Sequence, residues 1–112
     1  MLKKKLLFVC SSAIDRSPAA VDLFANSRRY LTKAAGTHED ATRPVTQNLI
    51  DWADCIFVMS EGTNRHLTYL KKHFRLRGKN IYDLHVRDMY FRNDPRLVRL
   101  LRKRISKVIS LM

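Results

Sequence analysis

The most restrictive segment of this chain is a short apolar run that leads directly into a polar loop and then into a proline. The run Leu6-Leu7-Phe8-Val9 has the length of a buried strand and is too short for a helix of its own. Pro18 closes the loop, and proline is favoured at the first position of a helix. The segment therefore predicts a strand, a loop and a helix in immediate succession, with Cys10 at the carboxyl end of the strand.

Strand-like and helical patterns alternate along the rest of the chain. The predicted strands cover residues 3–9, 31–35, 54–59 and 80–84, and the predicted helices cover 18–29, a short stretch capped by Thr46, 61–74 and 94–109. Such alternation through short connections favours an α/β fold with a parallel sheet. Ligands in these sheets bind at the carboxyl ends of strands, where Cys10 and residues 84–91 are expected to lie. The length of 112 residues predicts one domain, residues 1–112.

Cys10 and Arg16 have the spacing of a phosphate-binding loop built around a nucleophilic thiolate. A helix N-terminus and a neighbouring cation both favour the thiolate form of a cysteine. Arginine offers a planar fork that can hold two phosphoryl oxygens, and the Ser17 hydroxyl is placed to donate to the sulfur. The remaining residues expected around a bound phosphoryl group are Ser11, Ser12, Ala13, Ile14 and Asp15.

The spacing alone is weak evidence, because it arises by chance in about one in four chains of this composition. The other cysteine, Cys55, has Glu61 at the matching position and lies inside a strand-like run, so it is expected to be buried. For Cys10 the competing interpretation is a small buried cysteine at a strand end. The strand before it and the Ser-Pro after it favour the reactive site.

A thiolate that displaces an alkoxide or phenoxide needs an acid to protonate the leaving group. Of three candidates, Asp94 precedes a proline and is expected to cap a helix, and Asp83 falls at the edge of a strand. Asp88 lies in a predicted loop, and is the preferred acid. Tyr90 and Phe91 follow it closely and can form a wall for an aromatic leaving group.

The chain is strongly basic, with a formal net charge of +12. A basic surface attracts phosphate-rich partners, including nucleic acid and phosphoproteins. The positive charges of the last helix fall on one face, at Arg96, Arg99, Lys103 and Lys107. This pattern favours a solvated surface over a nucleic-acid site. The sequence also has no zinc-finger or RNA-binding signature. The sequence has only two cysteines, which is typical of a protein with reduced thiols. It has no secretory pattern and no apolar run of membrane-spanning length. These features predict a cytoplasmic protein with no membrane partner.

With these pieces placed, the chain resembles the low-molecular-weight protein tyrosine phosphatases, and it looks most like a short bacterial branch of that family. The similarity runs nearly from end to end. The matching segments are Leu7-Phe8-Val9-Cys10-Ser11, Arg16-Ser17-Pro18, Ala35-Gly36-Thr37, Arg43-Pro44-Val45-Thr46, Trp52-Ala53-Asp54, Ile56-Phe57-Val58-Met59, Val86-Arg87-Asp88-Met89-Tyr90 and Asp94-Pro95.

This resemblance implies a three-layer sandwich with a four-stranded parallel sheet of order 2-1-3-4. It also implies a protein tyrosine phosphatase that acts on a phosphorylated protein or a small aryl phosphate, without a metal or another cofactor. Cys10 would be the nucleophile, Arg16 the phosphate clamp and Asp88 the general acid.

The chain departs from the family pattern within the same loops. Ala13 and Ala34 stand where the family has a bracing asparagine and serine, Asp15 adds a negative charge to the phosphate loop, and Arg87 and Met89 replace the prolines beside the acid. Alanine at position 13, in the left-handed conformation that asparagine tolerates, would cost about 1 kcal/mol. These departures leave open a phosphatase fold of low activity, or an inactive module that binds phosphorylated or nucleic-acid ligands. Arsenate reduction through a thiol relay is disfavoured, since it needs a second accessible cysteine.

Overall fold

A computed structural model describes residues 2–110 as alternating strands and helices. In chain order the elements are β1 (Lys4–Cys10), α1 (Arg16–Leu23), β2 (Tyr30–Gly36), α2 (Gln47–Trp52), β3 (Cys55–Val58), α3 (Glu61–Asn64), α4 (His66–His73), β4 (Asn80–Asp83) and α5 (Pro95–Ser106). No helix in this part of the chain is long and apolar enough to cross a membrane.

The four strands form one parallel sheet in the order β2-β1-β3-β4. This confirms the predicted α/β fold, its parallel sheet and its strand order. β1 lies between β2 and β3, with Cys10 opposite Gly36 and Val9 opposite Val58. The carboxyl end of β1 is therefore in the middle of the sheet, where Cys10 is flanked by the loops that follow its neighbours.

Residues of the two central strands, β1 and β3, alternate between two buried faces, as the pleat requires. Leu6, Phe8 and Phe57 pack against α1 and α5, whose apolar residues include Ala20, Leu97 and Leu101. On the other face, residues from β1 and β3 pack against α2 and α4; this cluster includes Leu7, Val9, Ile56, Val58, Ile50 and Leu70. Helices cover both faces of the sheet, so the three-layer arrangement is also confirmed.

Helix α1 differs from its prediction at both ends. It begins at Arg16 instead of Pro18, and it ends at Leu23 instead of near Arg29. Directly after Leu23 the chain tightens into turns, in which the backbone N–H groups of Phe24 and Ala25 donate to the carbonyls three residues earlier, those of Val21 and Asp22. The Ser27 hydroxyl then accepts hydrogen bonds from the backbone N–H groups of Arg29 and Tyr30. The early start places Arg16 in the first turn of the helix, directly beside the loop.

The prediction of one continuous helix over residues 61–74 is wrong. Arg65 adopts the left-handed conformation, with φ 56°, and divides the segment into α3 and α4. The Ser60 side chain caps α3, and the Glu61 carboxylate accepts a hydrogen bond from the backbone of Thr68 in the first turn of α4. The break turns Asn64 and His66 toward the loop after β1.

Helix α5 begins as predicted, with the Asp94 side chain accepting a hydrogen bond from the backbone of Arg96. It ends at Ser106, three residues earlier than predicted, because Val108 and Ile109 both donate to the Ile105 carbonyl and form a closing turn. Cys55 is buried in β3, as predicted.

Candidate active site

The loop between β1 and α1 curls around the thiol of Cys10. The sulfur lies 3.0 Å from the Ser17 hydroxyl, and the backbone N–H of Ala13 donates to it at 3.3 Å. Cys10 is only 3% exposed. Two hydrogen-bonding groups that converge on the sulfur are suited to hold it as an anion.

Ala13 is in the left-handed region, with φ 58°. This confirms the conformation expected at the position, where the chain has alanine and the family pattern has asparagine. The conformation turns the backbone so that the Ala13 N–H faces the sulfur. It costs about 1 kcal/mol for a residue with a Cβ, so the rest of the loop has to hold it in place.

The segment after β2 supplies part of that support. Thr37 donates to the Cys10 carbonyl at 2.9 Å, His38 to that of Ser11 at 3.0 Å, and Thr42 to that of Ser12 at 3.0 Å. Gly36 permits this approach, because a Cβ at its position would lie 2.4 Å from the Ser11 carbonyl oxygen. The carbonyls of the loop are therefore bound from outside.

Among residues 2–110, Arg16 is the largest fully buried side chain, at 2% exposure. Its Nη1 donates to Asn64 Oδ1 at 2.8 Å and to the Val86 carbonyl at 2.9 Å, and its Nη2 donates to Ser11 Oγ at 3.3 Å. Burial lowers the pKa of Arg16 from its ordinary value, while Cys10 and the carboxyls of Asp88 and Asp15 act in the opposite direction. A buried cation held in this way attracts an anion.

The Cys10 cavity lies above the sulfur and has a volume of about 90 Å³. Its lining brings together most of the residues that the sequence predicts: Cys10, Ser11, Ser12, Ile14, Asp15, Arg16 and Asp88. The side chain of Asp88 is 61% exposed, and its Oδ1 lies 3.9 Å from Nε of Arg16. Asp88 therefore stands at the mouth of the cavity, and Cys10 lies at its floor.

The segment that carries Asp88 is fixed at its amino-terminal end. Val86 donates to the Met59 carbonyl and accepts from Arg16. Arg104 of α5 donates to the carbonyls of Leu84 and His85. These contacts hold the start of the loop although it lacks the prolines of the family pattern.

The other end of the segment is tied to the phosphate loop itself. The backbone N–H of Arg92 donates to Asp15 Oδ1 at 3.0 Å, and its guanidinium forms two hydrogen bonds with Asp22 of α1. These bonds lower the pKa of Asp22. The Asp15 carboxylate, which the sequence presents as an unfavourable charge, thus binds an N–H group and links the two loops.

Tyr90 and Phe91 do not line the Cys10 cavity. Tyr90 packs against the core beside α1 and α5, with the Arg96 guanidinium 5.5 Å from its ring centre. Phe91 is 82% exposed. Their role as a wall for the leaving group stays a prediction.

Asn64 and His66 were missed by the sequence reasoning. Asn64 accepts a hydrogen bond from Arg16, and Nε2 of His66 lies 3.0 Å from Ser11 Oγ. The periodicity of the sequence predicts one helix over residues 61–74 and gives no sign that Arg65 adopts a left-handed conformation. Within residues 2–110, no group of three or more His, Cys, Asp or Glu side chains is placed to hold a metal ion.

The chain has no match among protein-family models, and none among curated proteins. Solved structures resemble it closely in fold. The low molecular weight protein tyrosine phosphatase SP-PTP from Streptococcus pyogenes superposes with a TM-score of 0.71 at 21% identity, covering 96% of this chain and 94% of the other. A protein tyrosine phosphatase from Entamoeba histolytica, with Hepes in its active site, gives 0.67 at 23% identity, covering 91% and 92%.

The tyrosine phosphatase Wzb from Escherichia coli K30, in complex with phosphate, gives a TM-score of 0.69 at 19% identity, covering 95% of this chain and 96% of the other. At these identities the comparison establishes the fold, and the roles of the residues have to be argued from their geometry. The chain therefore has the fold of the low molecular weight protein tyrosine phosphatases, over nearly its whole length.

Proposed function

We propose that this protein is a cysteine-dependent phosphomonoester hydrolase that acts on aryl phosphates, with phosphotyrosine in proteins as its substrate class. Cys10 is the nucleophile, Arg16 binds the phosphoryl oxygens and Asp88 is the general acid. One observation carries the proposal: the Cys10 sulfur, Arg16 and Asp88 meet at a single cavity of about 90 Å³.

The donors of Arg16 support its role as the phosphate clamp. An arginine side chain has five N–H donors. Both donors on Nη1 and one on Nη2 have acceptors in the described structure. The Nε–H and the second Nη2–H have no hydrogen-bond acceptor among the described residues, although Nε lies 3.9 Å from Asp88 Oδ1 as an ion pair. Together these two donors form a fork that can hold two phosphoryl oxygens.

In the first step the Cys10 thiolate attacks phosphorus. The S–P bond forms while the P–O ester bond breaks, and Asp88 gives its proton to the leaving oxygen. Negative charge develops on the phosphoryl oxygens in the transition state, and Arg16 and the N–H groups of the loop stabilise it. The position of Asp88 at the mouth of the cavity is suited to this transfer, because the ester oxygen points outward when the phosphoryl group sits above the sulfur.

In the second step water attacks the phosphocysteine. The Asp88 carboxylate takes the proton of the water, the P–S bond breaks, and inorganic phosphate and the thiolate are released. The Ser17 hydroxyl, 3.0 Å from the sulfur, stabilises the thiolate as it leaves.

The size of the cavity bears on the substrate. A water molecule needs about 10–15 Å³ of cavity volume. The Cys10 cavity, at about 90 Å³, therefore holds a phosphoryl group and a few waters but leaves no room for an aromatic ring as well. The ring of an aryl phosphate would remain outside, near the exposed Asp88. This arrangement is compatible with phosphate esters on a protein surface, and the structural relatives described above are tyrosine phosphatases by name.

The test is hydrolysis of p-nitrophenyl phosphate and of a phosphotyrosine peptide across a range of pH. We expect turnover by the wild-type protein, none by Cys10→Ser, and a strong loss on the peptide with Asp88→Asn. Cys55→Ser is the matched control, because Cys55 is buried in β3 and does not line the cavity.

Two results would overturn the proposal. Undiminished turnover by Cys10→Ser would exclude the cysteine mechanism. A folded wild-type protein that binds phosphopeptides but hydrolyses neither substrate would support the alternative of an inactive binding module, which no contact in the described residues favours.

A further inference from the structure

His66 is a buried titratable group that the proposed mechanism does not use. It is fully buried, at 0% exposure, at the start of α4. The backbone N–H of Ser60 lies 3.0 Å from its Nδ1, and Ser11 Oγ lies 3.0 Å from its Nε2. Both ring nitrogens therefore have a partner, and one of them is a side chain of the phosphate loop.

The partner of Nδ1 decides where the proton of the ring is. A backbone N–H can only donate, so Nδ1 accepts and carries no proton. The neutral ring then carries its proton on Nε2 and donates it to Ser11 Oγ. Protonation of Nδ1 would break the bond to Ser60 and place a second buried cation near Arg16.

Ser11 Oγ accordingly accepts two hydrogen bonds, from Nε2 of His66 and from Nη2 of Arg16 at 3.3 Å. A hydroxyl oxygen has two lone pairs, and these bonds use both. Its own O–H proton is left to donate, and no other described group takes it. Ser11 lines the Cys10 cavity, so the proton can be directed into the space above the sulfur.

We propose that His66 is a positioning residue that fixes the Ser11 hydroxyl as a donor to a bound phosphoryl oxygen. Ser11 touches the substrate, and His66 acts through it. The inference rests on the proposed function only for the identity of the substrate, since any tetrahedral oxyanion in the Cys10 cavity would meet the same donor.

The same contacts show why a histidine suits this position. An amide or hydroxyl could turn and offer either a donor or an acceptor, whereas this ring is locked by Ser60. Burial and the nearby Arg16 lower the pKa of His66 from 6.5 to about 3, although Glu61 acts in the opposite direction and His38 adds to the lowering. The ring stays neutral over the range in which a phosphatase would work, so the direction of the donation does not change.

The first experiment reads the tautomer directly. Long-range ¹H–¹⁵N correlation spectra of the wild-type protein should show His66 with a protonated Nε2 and an unprotonated Nδ1, unchanged from pH 8 to pH 5. This measurement needs no catalytic activity. A proton on Nδ1, or a ring that titrates near its ordinary pKa, would overturn the proposal.

The second experiment measures binding of inorganic phosphate by calorimetry, together with kcat and KM for p-nitrophenyl phosphate. Ser11→Ala should weaken phosphate binding and lower kcat/KM by roughly 10-fold, the usual effect of losing one hydrogen bond to a charged group. His66→Leu should have a similar effect. His66→Gln keeps a donor near the position of Nε2 but can turn its amide, so it should recover part of the loss. His73→Gln, an exposed histidine on the same helix, is the matched control.

The double variant distinguishes positioning from a general loss of structure. If His66 acts through Ser11, His66→Leu should add little to the loss of phosphate binding once Ser11 is alanine. The inference would be overturned if Ser11→Ala protein bound phosphate as tightly as the wild type. It would also be overturned if the losses in phosphate binding caused by Ser11→Ala and His66→Leu added fully in the double variant. Wild-type protein that binds phosphate but does not hydrolyse the ester would refute the proposed function alone.

Discussion

The buried ring of His66 makes a quantitative prediction about stability in acid. In the unfolded chain its pKa is near the ordinary 6.5, and in the folded protein it is about 3. Between these values the unfolded state binds more protons than the folded state, so stability falls as the pH falls. Integration from pH 7.5 to pH 5.0 gives a loss of about 2 kcal/mol from this one residue.

The assay is urea unfolding of the wild-type protein and of His66→Gln at both pH values. The variant retains every other titrating group, so the difference in free energy of unfolding between the two proteins isolates His66. The free energy of unfolding of the wild-type protein minus that of His66→Gln should be about 2 kcal/mol smaller at pH 5.0 than at pH 7.5. This difference corresponds to a shift of roughly 1 M in the urea midpoint. An equal loss in both proteins would refute the reasoning, because it would show that the ring is protonated in the folded state.

Three further substitutions, one of them with a matched control outside the loop, test the architecture of the loop. Arg16→Lys should lower kcat/KM by about 10²–10³-fold in steady-state assays while the protein stays folded by circular dichroism, because an ammonium cannot form the planar fork. Gly36→Ala should destabilise the protein by about 2 kcal/mol in urea, because its Cβ would clash with the Ser11 carbonyl, whereas Gly62→Ala, with open space around it, should be neutral or slightly stabilising. Ala13→Gly should raise the free energy of unfolding by about 0.5 kcal/mol, because relief of about 1 kcal/mol of left-handed strain exceeds the roughly 0.5 kcal/mol by which glycine favours the unfolded chain.

The fold could be predicted from the sequence because its signals are local and repeated. Buried runs such as Leu6-Leu7-Phe8-Val9 predict strands, and the Asp94 cap marks the start of the last helix within one residue. The placement of Cys10 at the end of a central strand follows from the topology of parallel sheets. These strands and helices are determined by residues close together along the chain. The periodicity of apolar residues therefore predicts them well.

The parts that could not be predicted depend on contacts between distant residues. The break at Arg65 arises from the Ser60 cap and from the inward turn of His66, and neither disturbs the apolar pattern of residues 61–74. The favourable position of Asp15 depends on a backbone N–H from a residue 77 positions away. The sequence shows that Asp15 adds a negative charge to the loop. Only the folded structure shows that the backbone N–H of Arg92 binds this charge.

The most direct test of the central claim is detection of the phosphocysteine. Asp88→Asn protein mixed with p-nitrophenyl phosphate should accumulate it, because a good leaving group departs without an acid but hydrolysis of the intermediate lacks its base. Acid-quenched protein analysed by peptide mass spectrometry should carry one phosphoryl group, on Cys10. Release of p-nitrophenol with no phosphoryl group on Cys10, or undiminished turnover by Cys10→Ser, would contradict the account.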